Sequence, residues 1–187
     1  LPYTIQNYLS DQIRVPAIKT DLPEFTAVEE EAVGRIEKMM NVKGSQSVDT
    51  FHKKLGHIMW DYVGMGRNAA GLEKAIKDIA ALRDEFWKDV KIPGQANELN
   101  PELEKAGRVA DFLELGELMA RDALQRNESC GGHFREEYQT PEGEALRNDA
   151  EFMFTGAWKF TGLETPREMI KEKLEYEFVE VKQRNYK

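Results

Sequence analysis

The sequence holds a single cysteine, Cys130. No internal disulfide framework is possible, and the composition suits a reducing compartment. No apolar run approaches the roughly 18–20 residues that a membrane-crossing helix needs. The opening Leu1-Pro2-Tyr3-Thr4-Ile5 has no basic stretch ahead of an apolar core, so no secretory signal is legible. It also lacks an initiator Met, and the chain reads as a processed or excised piece. Positive charge is in the minority: 26 Lys and Arg against 34 Asp and Glu leave a net charge of −8. With the two signs interspersed there is no basic patch for a nucleic-acid backbone, and direct insertion into a membrane is equally disfavoured. There is no internal repeat, no phosphate-binding Walker lysine and no Ser-His-Asp order. Present instead are 41% hydrophobic and 32% charged residues over 187 positions, the balance of one globular domain with a real core.

The period of the apolar residues is helical over most of the chain. Residues 1–24, with Pro2, Pro16 and Pro23, show no sustained period and read as an extended connector. A first helix follows, with Thr26 and Glu29 as a capping box and Phe25, Val28, Ala32, Ile36 and Met39 inward, ending at Gly44. The run Glu29-Glu30-Glu31 falls in its first turn as a solvated face. Ser47 caps a second helix with Val48, Phe51, Leu55, Ile58, Met59 and Tyr62 on one face, stopped by Gly64 and Gly66. Asn68 opens a third, with Leu72, Ile76, Ile79, Leu82 and Phe86 inward. Asn100-Pro101-Glu102 starts a long fourth, marked by Leu103, Ala106, Ala110, Leu113, Met119 and Leu124. Trp60 and Trp87 fit helix cores. From residue 128 glycines, charges and a proline replace the period, and two strands are expected, over 152–160 and 174–181. The expected fold is mainly α: an up-down bundle of three long helices plus one shorter over 25–127, then a loop-rich tail over 128–187 with one or two short β-strands.

Three motifs carry potential chemistry. Gly64-Met65-Gly66-Arg67-Asn68-Ala69 has the form G-x-G-x-x-A, but a pyrophosphate cradle needs a buried strand before the glycines, and the preceding residues have a helical period. A helix–turn–helix connection explains them without a ligand. His52 and His57 are five apart, one too many for both rings to face one metal ion. The densest polar cluster runs from Glu128 through Ser129-Cys130-Gly131-Gly132-His133-Phe134-Arg135-Glu136-Glu137 to Tyr138, and within it Ser129, Cys130, Gly131, Gly132, His133, Arg135 and Glu136 are the candidate docking residues. A thiol beside an imidazole permits nucleophilic catalysis in principle, yet such partners are normally brought together by the fold, and one Cys with one His is too few for zinc. The preferred reading is a structured loop that docks on another surface. No catalytic, cofactor-binding or metal-ligating residue is assigned.

The stretch from Ser129 through Cys130-Gly131-Gly132-His133-Phe134-Arg135-Glu136-Glu137-Tyr138 to Arg147 resembles the segment after the helical bundle in succinate dehydrogenase/fumarate reductase flavoprotein subunits. Leu1-Pro2-Tyr3-Thr4-Ile5, Met59-Trp60-Asp61-Tyr62-Val63-Gly64 and Val181-Lys182-Gln183-Arg184-Asn185-Tyr186-Lys187 are similar to three further stretches of that family. Where the wider family often has Ser-Arg-Gly-Ala-His, this chain has Ser129-Cys130-Gly131-Gly132-His133. The resemblance implies the C-terminal helical domain of an oxidoreductase subunit that binds FAD and oxidises succinate to fumarate in the tricarboxylic acid cycle and electron transport. It implies residues 1–24 as the connector from a missing flavin-binding domain. The implied partners are that domain, an iron–sulfur subunit passing electrons to quinone, and a membrane anchor, with the subunit peripheral on the cytoplasmic side of the inner membrane. None of that family's catalytic positions matches a residue here, so this piece is expected to be an inactive scaffold holding no cofactor. The alternatives are an L-aspartate oxidase-like flavoprotein and an autonomous helical interaction module.

Overall fold

The computed structural model describes residues 2–162, 165 and 167–182. The end of the chain over 183–187, part of the stretch similar to the family's C-terminus, lies outside them. The helices are α1 (Pro2–Gln12), α2 (Pro23–Asn41), α3 (Val48–Tyr62), α4 (Ala69–Asp89), α5 (Pro101–Gln125) and the single turn α6 (Asp149–Phe152). The strands are β1 (Gln46–Ser47), β2 (Gly66–Arg67), β3 (Val90–Lys91), β4 (Phe134–Arg135), β5 (Phe154–Lys159) and β6 (Glu168–Lys173). The mainly α fold with a short-stranded tail is the one expected.

The caps at Ser47, Asn68 and Asn100 are in place. Their side-chain oxygens accept from the backbone N–H of Thr50, Gly71 and Leu103, each satisfying one of the donors a helix start leaves free. Ion pairs fix the directions of the packed helices. Asp49 meets Lys105 near the starts of α3 and α5, so those two run parallel. Lys54 meets Glu85, joining the first half of α3 to the last turns of α4, which runs the other way. The core lies between these three. Phe51 and Phe86 meet edge to face at 5.3 Å, with Leu72, Ile79 and Leu113 fully enclosed around them. On α5 the buried stripe is mostly small: Ala106, Ala110, Gly116, Ala120 and Ala123. These let the three helix backbones approach closely.

Below the core, β1 and β3 form a two-residue parallel ladder. Gly44 leads into it, donating to the Val90 carbonyl at 3.0 Å. A Cβ on Gly44 would lie 2.0 Å from the carbonyl carbon of Asp89. Backbone cannot yield as a side chain does, so Gly44→Ala is expected to cost about 2 kcal/mol, the usual scale for overpacking, read as a lower urea midpoint.

Several expectations are corrected. The segment 1–24 is not extended throughout: α1 occupies Pro2–Gln12, with Pro2 at a position where its missing N–H costs nothing and Ile5, Tyr8 and Leu9 at helical spacing. The next helix begins at Pro23 and not at a Thr26 capping box, since Leu22 is extended and Pro23 presets the first helical φ. It ends at Asn41, short of Gly44, and Glu29-Glu30-Glu31 lie beyond its first turn. Of the five residues expected inward on α2 only Met39 is buried, because α2 meets the bundle only near its C-terminal end, where Arg35 pairs with Asp111 at 2.5 Å. Met119 is exposed rather than core, and Trp60 is 85% exposed. The second tail strand is Glu168–Lys173 instead of 174–181. Its register is set by β5, which pairs from Lys159↔Glu168 to Phe154↔Lys173. Past the Phe154 end of β5 the chain belongs to α6, so the alternating residues after Leu174 have no strand to pair with.

Candidate functional site

The tail loop closes back onto the bundle at the end where α4 begins and α5 finishes. Two elements bring it there. The residues after α3 turn at Gly64 and run as β2 into the Asn68 cap. Strand β4 then pairs with β2 in parallel, Gly66 opposite Phe134 and Arg67 opposite Arg135. The Glu136 N–H donates to the Arg67 carbonyl at 2.7 Å. Because β2 follows a helix and not a strand, the G-x-G-x-x-A motif is the helix–turn–helix connection its context indicated. Two of its side chains are committed to the tail: Asn68 donates to Glu136 at 2.8 Å, and Arg67 reaches His133.

Ser129 is fully buried and Arg135 is 2% exposed. The Ser129 hydroxyl accepts from the Arg135 N–H at 2.8 Å and donates to the Arg135 carbonyl at 3.1 Å, pinning the two limbs of the loop together. Arg135 Nη1 donates to the carbonyls of Ala123 at 2.9 Å and Leu124 at 3.1 Å. These are carbonyls of the last turn of α5, which lack helical partners and lie at the negative end of the helix dipole. Arg135 Nε pairs with Glu137 at 3.1 Å. Glu137 in turn accepts from the Ala69 N–H at the start of α4, where a negative charge is favoured. Burial alone would raise its pKa, but the Ala69 amide and Arg135 hold it below the usual carboxylate range. The loop thus joins the end of one helix to the beginning of another through one Arg–Glu pair.

His133 sits in a cationic setting. Its Nδ1 is 3.0 Å from Arg67 Nη1, and its Nε2 is 2.9 Å from the Arg126 carbonyl. A guanidinium only donates and a carbonyl only accepts, so the ring is neutral with its proton on Nε2. Burial pushes its pKa below 6.5; the Arg126 carbonyl opposes this, while the charges of Arg67, Arg135 and Arg126 add to it. The unfolded chain then takes up a proton on this side chain before the folded chain does. Stability is expected to be greatest above pH 6.5 and to fall as pH drops from there toward the lowered folded value. Urea midpoints of wild type and His133→Gln between pH 7.5 and about 5 check this: the wild-type midpoint falls faster, and the variant lacks that added slope.

Sequence reasoning named Ser129, Cys130, Gly131, Gly132, His133, Arg135 and Glu136 as docking residues. The structure divides them. Ser129 and Arg135 are engaged inside the chain's own fold, and His133 and Cys130 are half-buried. Gly131, Gly132 and Glu136 face solvent. The docking residues named from sequence do not include Arg67, Arg126, Glu128 and Glu137, although Glu128 and Glu137 belong to the polar cluster read there. Buried Glu128 pairs with Arg126 at 2.7 Å and accepts from the Asn148 N–H at 2.8 Å, tying the tail to the end of α5. Glu128 and Glu137 flank the loop in sequence, and their charge beside its arginines is a legible signal, whereas Arg67 is 66 residues from His133. His52 and His57 are both exposed, and the described residues include no group of three or more His, Cys, Asp or Glu able to hold a metal ion. No helix among them is long and apolar enough to cross a membrane.

Residues 52–186 match the family described as fumarate reductase flavoprotein C-term. The chain belongs to that family. It is 30% identical over 110 residues to an uncharacterized FAD-dependent oxidoreductase of Methanocaldococcus jannaschii, covering 59% of this chain and 19% of that protein. It is 25% identical over 127 residues to the fumarate reductase flavoprotein subunit of Haemophilus influenzae, covering 68% of this chain and 21% of that subunit. A solved quinol–fumarate reductase with menaquinol molecules shares the fold with a TM-score of 0.75 at 20% identity, over 93% of this chain and 29% of that one. The chain thus spans about a fifth of the length of the curated relatives it matches. In this fumarate reductase flavoprotein C-terminal region the tail loop is fastened where α4 begins and α5 ends.

Proposed function

We propose that this domain is a scaffold within a succinate dehydrogenase/fumarate reductase flavoprotein subunit, docking on the flavin-binding part of the same polypeptide and contributing no catalytic residue. In this reading the intact subunit oxidises succinate to fumarate with FAD as acceptor, and electrons leave through an iron–sulfur subunit to quinone. The complex is held to the cytoplasmic side of the inner membrane by its anchor. Residues 1–24 are the connection to the flavin-binding part, and the exposed tip of the tail loop faces that part or the iron–sulfur subunit.

The observation that carries the scaffold reading is the arm formed by α1 and α2. Ile5, Tyr8, Leu9 and Ile13, then Phe25 and Val28, are all exposed, and Met39 is the one residue buried in the two helices. Isolated helices of 11 residues are marginal in water, and exposed apolar residues recurring at helical spacing on helices with almost no buried face mark a contact face. A covering domain supplies what both helices lack. The described residues do not fit a flavin site: the G-x-G-x-x-A turn follows a helix, and its Arg67 and Asn68 side chains hold the tail. No chemical step is therefore routed through this domain, and on its own it is inactive.

The test is capture of the native polypeptide from its source cells, with intact mass, flavin content and turnover of succinate and L-aspartate recorded. A much heavier flavin-bearing chain that oxidises succinate, with an iron–sulfur protein co-purifying, supports the reading. A flavin-free chain of about this length overturns it. Turnover of L-aspartate instead moves the scaffold to a different oxidase.

A further inference from the structure

We infer that Arg67 is an anchor point for a carboxylate side chain presented by the flavin-binding part of the polypeptide, an inference that rests on the scaffold reading above. Arginines 67, 126 and 135 gather around His133. Two of them have a carboxylate: Arg126 pairs with Glu128 at 2.7 Å and Arg135 with Glu137 at 3.1 Å. Arg67 has none within ion-pairing distance among the described residues. Its Nε donates to the Gly64 carbonyl at 2.8 Å and its Nη1 to the neutral ring of His133 at 3.0 Å. Asp122, whose charge reaches Arg67 from farther off, accepts from Trp158 Nε1 at 2.8 Å. Glu136, next along the loop, is bound by Asn68.

A half-buried guanidinium with two neutral acceptors and no carboxylate in direct contact is an unfavourable arrangement for a folded chain, since the more distant Asp122 only partly offsets the loss of water. The same burial, with Asp122 opposing it and the Arg135 charge adding to it, disfavours the charged form of Arg67. Nη2 makes no hydrogen bond to any described residue and is not among the buried atoms without a partner. The neighbouring loop tip is open. Gly131 and Gly132 are exposed, and a Cβ on either would meet no atom within 4 Å. Met65, two residues before Arg67, is 84% exposed, and Trp60 closes the same end of α3. Arginine, tryptophan and methionine are the side chains enriched in protein contact surfaces, with charge-assisted pairs to arginine at their centres. A carboxylate supplies both the counter-charge and the acceptor that Nη2 lacks. The flavin-binding part is the favoured source because it is tethered: about four-fifths of the relatives' length lies outside the matched region, and covalent linkage gives it a high effective concentration that a separate subunit does not have.

The test uses the full-length, flavin-loaded subunit. Its structure is expected to show an Asp or Glu oxygen from the flavin-binding part within about 3 Å of Arg67 Nη2. The functional arm is a double-mutant cycle pairing Arg67→Gln with the amide version of that acid. Each single change lowers the unfolding temperature of the flavin-loaded subunit, and the double variant falls by clearly less than their sum. Arg67→Gln gives up the hydrogen bond to His133 in both backgrounds, so that part cancels and the cycle isolates the carboxylate pair. Solvent, a backbone carbonyl or a carboxylate of another chain at Nη2 overturns the inference, as does additivity. The two levels of failure are distinguishable. If Ile5 and Leu9 also remain in water in the intact subunit, the scaffold reading itself fails. If they are covered and Nη2 is free, only the Arg67 inference fails.

Discussion

Glu117→Ala is expected to cost the domain about 3–5 kcal/mol, a large share of the roughly 5–15 kcal/mol that holds a domain of this size together. Glu117 lies in the middle of α5 and is 1% exposed. It pairs with buried Arg83 on α4, accepts from Arg121 Nε at 2.8 Å, and has Arg167, beside β6, at 3.6 Å. Removing it strands Arg83 in the core without its carboxylate. It also takes from Arg167 its carboxylate partner, and the Nη2 of Arg167 is buried without a hydrogen bond to any described residue. Burial alone would raise the Glu117 pKa, but the hydrogen bonds from Arg121 and Arg83 hold it below the usual carboxylate range. The stability it contributes is therefore present above the ordinary glutamate value and is lost as pH falls through the lowered folded value. Urea unfolding followed by circular dichroism measures the loss. Arg83→Met with Glu117→Leu is expected to recover most of it, since a buried ion pair replaced by apolar side chains of similar volume is often neutral. If the double variant is as unstable as Glu117→Ala, the cost does not come from stranding Arg83 and lies instead with Arg121 and Arg167, which both variants leave without this carboxylate. Amide exchange supplies a second readout: the β5–β6 hairpin, fastened to α5 by Arg167 and by Trp158 to Asp122, is expected to lose protection before the core does.

Glu117 also shows how far the sequence could be read. The bundle helices were legible because their signals are local. Ser47, Asn68 and Asn100 are caps followed by apolar residues three and four apart, and each helix began where its cap stands. The buried stripe of α5, which passes through Ala106, Ala110, Leu113 and Ala120, continues through Glu117, a charge on the core face that only its partner explains. That partner, Arg83, is 34 residues away, and no periodicity reveals such a pair. The arm failed for the opposite reason. Phe25, Val28 and Ile36 have the spacing of a buried face and are exposed, because α2 packs against the bundle only at its end. The pattern is real, but no face of the described bundle covers it. The tail loop was legible as a polar unit but not in its direction. Ser129 and Arg135 face inward because the carbonyls ending α5 need donors, a demand visible only once the loop is seen to return to that helix.

Arg135→Ala is the corresponding test of the loop, with an expected cost of about 3 kcal/mol, since it removes charged hydrogen bonds in a site closed to water. The carbonyls of Ala123 and Leu124 lose their donor, and Glu137 keeps only the Ala69 amide at the head of α4. Arg135→Lys is expected to restore only part of the loss, because a lysine ammonium is a point charge and cannot span the α5 carbonyls and Glu137 as the guanidinium fork does. A purely structural defect and the proposed electrostatics give different results at His133. Burial is the main cause of the lowered His133 pKa, and Arg135 is one of the three charges that add to it, so Arg135→Ala is expected to move the pKa of His133 upward, toward 6.5, while Arg135→Lys keeps it low. Titration of the His133 ring by NMR in the three proteins, at a temperature where all are folded, decides this. An unchanged His133 pKa in Arg135→Ala would mean that burial alone sets it, and the loop would then be held by its hydrogen bonds rather than by the balance of its charges.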